Sequence, residues 1–197
     1  MSAPDASALP EPAVGVTLAT ALSDVVELAA LRDRAQVLKT LAARRALNLP
    51  SFGRVAIARD TLALCVRPER WLLLAPPASP DVTASLWQRA CEGVAAAVDL
   101  SSGLVALHLD GPHAREALAR GCRLDLDPDV FPAGHAAATI IAQVSTILAA
   151  VPAGMLILTP TSTARHFQAW LARAARPFGL AARADVTVGA LSGDSRA

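Results

Sequence analysis

Two hexapeptides 84 residues apart, Trp71-Leu72-Leu73-Leu74-Ala75-Pro76 and Met155-Leu156-Ile157-Leu158-Thr159-Pro160, decide how this chain folds. Each is a short apolar run closed by proline, which reads as a compact strand. The surroundings repeat as well. Gly53 has its counterpart in Gly134, 81 residues on, and Trp87 in Trp170, 83 residues on. Upstream of the first hexapeptide, Val25 to Leu31 reads as a strand. Val37, Leu38, Leu41 and Ala42 then share one face of a helix that runs to Asn48, before Pro50. Val55–Ala58 and Thr61–Val66 alternate as strands with a bend or turn at Arg59-Asp60, and Leu86, Trp87, Ala90, Cys91, Val94 and Val98 form one face of a second helix.

The second half follows the same order. Val105, Leu107 and Leu109 alternate in a strand. Pro112 opens a helix carrying Ala114, Leu118 and Ala119, with Gly121 suited to its C′ position. Ile140 to Val151 leads through a turn into the second hexapeptide, and a last helix carries Phe167, Trp170, Leu171 and Ala174. The expectation is an α+β protein of two duplicated β-α-β-β-α halves with antiparallel sheets, at about 22–98 and 99–180 within a domain spanning 21–180. Residues 1–20 read as a flexible Ala/Pro/Ser-rich lead-in without the pattern of a signal peptide, and 181–197 as a tail with one strand, Asp185 to Val188.

Composition narrows the function. The chain has 197 residues, is 53% hydrophobic, and carries 18 basic against 17 acidic side chains. Alanine supplies 44 of the residues, so large apolar side chains are present at ordinary levels. A net charge of +1 speaks against a dedicated nucleic-acid binder, which needs a basic surplus. Lys39 is the sole lysine, and tyrosine is absent. Val130 to Ala164 holds no Asp, Glu, Lys or Arg, but Gln143, Ser145, Thr146 and the Pro152-Ala153-Gly154 turn break it, so it reads as buried strands, not a membrane span. Cys65, Cys91 and Cys122 make no C-x-x-C pair and read as buried thiols of a reducing cytoplasm.

No residue set announces a reaction. His108 and His113 lack a third ligand at useful spacing, and His135 and His166 stand alone. Asp125, Asp127 and Asp129 resemble the opening of a calcium loop. Val130 stands where glycine is needed, however, and Ala136 where the bidentate glutamate belongs, so an exposed acidic loop is expected. Neither a phosphate-cradling glycine motif nor a nucleophile elbow occurs. Ser101-Ser102-Gly103 reads as a polar turn ahead of an anion site. Trp71, Trp87 and Trp170 read as core anchors. Arg32, Arg34, Arg44, Arg45, Arg173 and Arg176 suit either a solvated face or a docking face for an acidic partner. No catalytic, cofactor-binding or metal-binding residue is assigned.

Several runs resemble the gamma subunit of heterotetrameric sarcosine oxidase: Pro68-Glu-Arg-Trp-Leu-Leu-Leu-Ala-Pro76, Val98-Asp-Leu-Ser-Ser-Gly103, and Leu109-Asp-Gly-Pro-His-Ala-Arg-Glu-Ala-Leu118. The most specific, Gly121-Cys-Arg-Leu-Asp-Leu-Asp-Pro-Asp-Val-Phe-Pro-Ala-Gly134, is similar to that family's G-C-x-L-D-L-x-P-x-x-F-P-x-G run. The resemblance covers about residues 22–180. It implies a fold similar to the folate-binding domain of the glycine-cleavage T-protein. It also implies a non-catalytic subunit, acting in assembly and stability, beside alpha, beta and delta chains that hold FAD, FMN, NAD, zinc and tetrahydrofolate. Such a complex demethylates sarcosine to glycine, forms hydrogen peroxide and passes the one-carbon unit to tetrahydrofolate. The alternatives are a subunit of a related N-methyl amino acid or proline-derivative dehydrogenase and a stand-alone folate-binding or aminomethyltransferase-like protein. For the last of these, Asp99 and Asp110 are the candidate carboxylates.

Overall fold

The computed structural model describes residues 13–79 and 82–192, so the first twelve residues and the last five of the expected lead-in and tail lie outside the described residues. Both decisive hexapeptides are strands at the centre of a sheet. One sheet contains β2 (Asp24–Ala30), β3 (Arg54–Ala58), β4 (Thr61–Arg67), β5 (Arg70–Ala75) and β6 (Ala95–Asp99), in the order β3-β4-β5-β2-β6. The other contains β1 (Val16–Leu22), β7 (Leu104–Asp110), β8 (Ala136–Ile141), β9 (Val144–Val151), β10 (Gly154–Pro160) and β11 (Leu180–Ala182), in the order β11-β1-β7-β10-β9-β8, with β12 (Val186–Thr187) also on β1. Apart from the parallel pairs that β11 and β12 make with β1, all pairs are antiparallel.

The apolar runs lack polar alternation because each sheet is covered on both sides. Trp71, Leu73 and Ala75 face helices α1 (Ala35–Ala43) and α2 (Ala84–Ala90) together with Leu38, Ala42, Trp87 and Cys91. Leu72 and Leu74, one residue out of phase, join Leu156 and Leu158 in a core between the two sheets. Met155 and Ile157 turn the other way. They pack with Ala114, Ala117 and Leu118 of α3 (Ala114–Ala119) and with Phe167, Leu171 and Ala175 of α4 (Thr161–Ala175). The result is four layers: helices, sheet, sheet, helices. The alanine-rich composition has a place here, since Ala21, Ala106, Ala136 and Ala149 lie in the inter-sheet core, where small side chains let the sheets approach.

At one edge the sheets are stitched together by a reciprocal pair of bonds. Val55 N–H donates to Gly134 O and Ala136 N–H to Gly53 O, both at 2.9 Å. The two bonds flank an antiparallel bridge between Arg54 and His135, each the residue after one of these glycines.

Several elements depart from the sequence reading. Val16–Leu22, expected mostly in a flexible lead-in, is a strand that pairs with β7. Val55–Val66 is, as expected, two strands folded over Arg59-Asp60, whereas Ile140–Val151 spans a hairpin whose turn is Ala142-Gln143. The second helix stops at Ala90, and Val98, expected on its face, lies in β6. The first helix stops at Ala43, five residues short of Asn48. Ala46 adopts φ 57°, and Leu47 N–H donates back to Ala42 O at 3.0 Å, which satisfies a carbonyl of the last turn. Gly121 is not in the left-handed region; its hydrogen stands where a Cβ would lie 2.4 Å from Trp170. In the expected tail, β11 lies beside β1, and a 3-10 turn at Val188–Ser192 puts Val188 and Leu191 into the inter-sheet core.

Candidate functional site

Away from the stitched edge, the two sheets part and leave an open cleft. A hollow of about 140 Å³ is lined by Glu27, Arg67, Arg70, Leu72, Leu104 and Ile147, among others. A neighbouring hollow of about 370 Å³ shares Arg67, Leu104 and Ile147 and continues along β8 and β9 past Ala138 and Ile140. Glu27 explains why the cleft stays open. It alternates with Val25 onto the inter-sheet face of β2, where a carboxylate resists dry packing. Arg70 on the adjacent strand pairs with it at 2.8 Å, and Arg70 remains half exposed. Ile140, lining the second hollow, is 50% exposed on an edge strand. An apolar trough with a charge pair at its mouth is suited to receive a chain segment.

Several of the polar residues singled out in the sequence are spent on internal bonds. His108 is buried, and its Nε2 lies 2.7 Å from Ala153 O. Burial pushes its pKa below the usual 6.5; Arg183 adds to that, while the Ala153 carbonyl and Asp110 oppose it. A depressed pKa means that the unfolded chain takes up the proton first. His108 therefore adds stability that is complete above about pH 6.5 and is lost as pH falls through the folded value. His108→Gln is expected to flatten the fall in Tm as the pH drops below about 6.5. An unchanged slope would remove His108 as the cause.

His113 pairs with Glu116 at 2.8 Å and stacks on Phe178, while His135 Nδ1 lies 3.1 Å from Pro132 O. His166 is exposed on α4. No group of three or more His, Cys, Asp or Glu among the described residues could hold a metal ion. Asp99 accepts from Ser101 N–H at 2.9 Å, and hydrogen bonds from the Ser101 side chain and then its amide hold its pKa below the usual carboxylate range. Ser101 Oγ accepts from Val25 N–H at 2.9 Å, and Gly103 and Leu104 N–H both donate to Leu100 O, so the Ser-Ser-Gly turn has turned its donors inward. Asp110 accepts from Gly111 N–H at 2.7 Å. Trp71 and Trp87 are buried and Trp170 is partly so. Cys65 and Cys91 are buried thiols with raised pKa values, the cause being desolvation. No helix of the described residues is long and apolar enough to cross a membrane.

The long motif from Gly121 to Gly134 has a structural explanation that its acidic pattern hid. Asp127 N–H donates to Asp125 Oδ1 and Asp129 N–H to Asp127 Oδ1, each at 2.9 Å, so the carboxylates shape successive turns. Leu126 and Phe131 enter the helix-side core. Arg115 of α3 clamps the loop, its Nη1 donating to Leu126 O at 2.7 Å and to Phe131 O at 2.9 Å. Arg115→Ala is expected to cost about 1–3 kcal/mol and to raise amide exchange across 123–134 more than elsewhere. A uniform rise in exchange would show that the clamp is not local.

The exposed arginines do not form one face. Arg32, Arg34, Arg44 and Arg45 flank α1 in one outer layer, whereas Arg173 and Arg176 belong to α4 and the turn after it in the opposite one. The cleft itself was missed in the sequence. Glu27 within an apolar strand was its one visible signal.

Among curated proteins none matches the sequence significantly. Among solved structures the chain is similar to heterotetrameric sarcosine oxidase from Corynebacterium sp. U-96, with 28% identity and a TM-score of 0.75, over 87% of this chain and 90% of that one. It is also similar in fold to glycine cleavage system aminomethyltransferase T from Bartonella henselae, at 14% identity and a TM-score of 0.64, covering 91% of this chain but 50% of that one. The mixed α+β architecture with antiparallel sheets is thus shared with both. The profile of the sarcosine oxidase, gamma subunit family matches residues 32–176, and the chain belongs to that family.

Proposed function

We propose that this chain is the non-catalytic gamma subunit of a sarcosine-oxidase-type flavoenzyme and acts in its assembly and stability. The observation that carries the reading is the likeness, along nearly the full length of both chains, to a heterotetrameric sarcosine oxidase. The geometry supports it, because the side chains of His108, Asp99, Asp110, Asp125 and Asp127 are committed to internal hydrogen bonds. The inter-sheet cleft offers surface for a neighbouring chain. In this reading the alpha, beta and delta subunits are the partners, and FAD, FMN, NAD, zinc and tetrahydrofolate sit on them. The complex works in the cytoplasm. It oxidises sarcosine to glycine with formation of hydrogen peroxide and delivers the one-carbon unit to tetrahydrofolate.

Co-expression with the genes beside its own tests this. The expected result is a complex containing flavin that oxidises sarcosine and loses yield or stability without this chain. Failure to co-purify with a flavin-bearing chain overturns the subunit reading. Submicromolar binding of tetrahydrofolate by this chain alone would favour a folate enzyme instead. A panel of N-methyl amino acids and proline derivatives assayed on the complex fixes the substrate.

A further inference from the structure

The chemistry of the inter-sheet cleft narrows what can fill it. Ala138 and Ile140 of β8 face the same side of their sheet as Ala136, which lies buried between the sheets near the stitched edge. Farther along β8 that side is uncovered, and Ile140 stands half exposed over a trough that Leu104 and Ile147 continue. Strand β8 also has no strand neighbour on its outer side. The pair Ile141–Val144 closes a two-residue turn, so Ala136, Ala138 and Ile140 direct their N–H and C=O groups away from β9. The chain covers the two ends of that edge itself. Ala136 N–H donates to Gly53 O, and just past β8 Ala142 N–H donates to Gly121 O at 3.1 Å. Between them, Ala138 presents a strand edge beside an apolar trough, the setting in which an extended chain adds to a sheet.

The charges define the incoming chain further. Arg67 lines both hollows, and its guanidinium is in no ion pair among the described residues. Glu27, the one carboxylate lining them among those residues, is already held by Arg70 at 2.8 Å. Glu69, in the turn between the two arginines, lines neither hollow. Ser79 and Val82, which flank residues 80–81, stand near Thr61 at the opposite end of β4 from Arg67. Two guanidinium groups thus face one carboxylate in the cleft, which calls for a second carboxylate from whatever fills it.

Resting on the subunit reading, we propose that the cleft receives an extended segment of a neighbouring subunit. Its backbone pairs with β8 at Ala138, its apolar side chains lie on Ile140, Ile147 and Leu104, and an Asp or Glu within it pairs with Arg67.

Reconstitution of the complex from this chain and its co-expressed partners tests the docking. Arg67→Glu and Ile140→Asp, both at exposed positions, are each expected to weaken assembly about tenfold or more, while the Tm of each isolated variant confirms its fold. Arg173→Glu, on α4 in an outer helix layer, is the control and should assemble normally. A wild-type chain that forms no complex removes the subunit reading itself. A wild-type complex that both cleft variants join with unchanged affinity, or that Arg173→Glu weakens as much, overturns the cleft proposal alone. Benzoylphenylalanine in place of Ile140, irradiated in the assembled complex, then identifies the occupant. A cross-link to an apolar segment of another subunit that carries Asp or Glu supports the proposal. A cross-link to residues 1–12 of this chain, to a segment without a carboxylate, or to nothing at all overturns it.

Discussion

Replacing Phe167 by alanine is expected to destabilise the chain by about 3–5 kcal/mol, a large share of the 5–15 kcal/mol typical of a folded domain. Phe167 is fully buried at the centre of α4, in the core that joins both second-half helices to their sheet. Its ring lies 5.7 Å from that of Trp170, tilted by 44°, so truncation also removes an edge contact between aromatics. The hole cannot close cheaply. Ile157 and Met155 in the same core are fixed on β10, which is hydrogen-bonded on both sides. Urea unfolding measures the effect, and a loss below about 1 kcal/mol would mean that α4 repacks freely and that this core does not hold the layer.

Gly154→Ala is expected to cost roughly 2–4 kcal/mol, although it adds a single methyl group. Gly154 opens β10 at φ +130°, a region that side chains rarely enter. A Cβ there would stand 2.6 Å from Leu109 O and 3.1 Å from His108 Nε2, so both the β7–β10 pairing and the bond of His108 to Ala153 would have to shift. Gly134→Ala is the control. Its φ of +89° is also strained, but nothing lies within 4 Å of an added Cβ, so its cost should be distinctly smaller. Equal losses in the two variants would show that backbone strain alone, not the close approach, governs the site.

The central strands were legible because Leu62, Leu64, Leu73, Leu74, Leu156 and Ile157 form short apolar runs bounded by turn residues. The hairpin after β8 was not. Ala142 and Gln143 take φ values of 49° and 66° without the Asn-Gly signal that such a turn usually carries. Strand β6, Ala-Ala-Ala-Val-Asp, carries no strand preference of its own; pairing with β2 imposes the conformation. Strand β1 follows a proline-rich stretch, and its Ala-Thr pattern is too weak to stand out. For the candidate site, the polar turn at Ser101-Ser102-Gly103 was readable in the sequence. The cleft depends on how distant layers diverge, and no local spacing encodes that.

Ser23 alone separates β1 from β2, yet the two strands belong to different sheets. Strand β1 must wait for β7, since Thr17 pairs with Asp110 and Thr20 with Leu107. While the chain is being synthesised, the sheet of β2 to β6 can close as soon as it emerges, but β1 hangs beside it with Val16 and Ala21 uncovered until β7 arrives. During that interval strand β1 lacks its partner. A bulky fusion or a protease acting near Val16 would disturb it far more than the same insult after Leu191, and a chaperone that grips short apolar segments would find its foothold there.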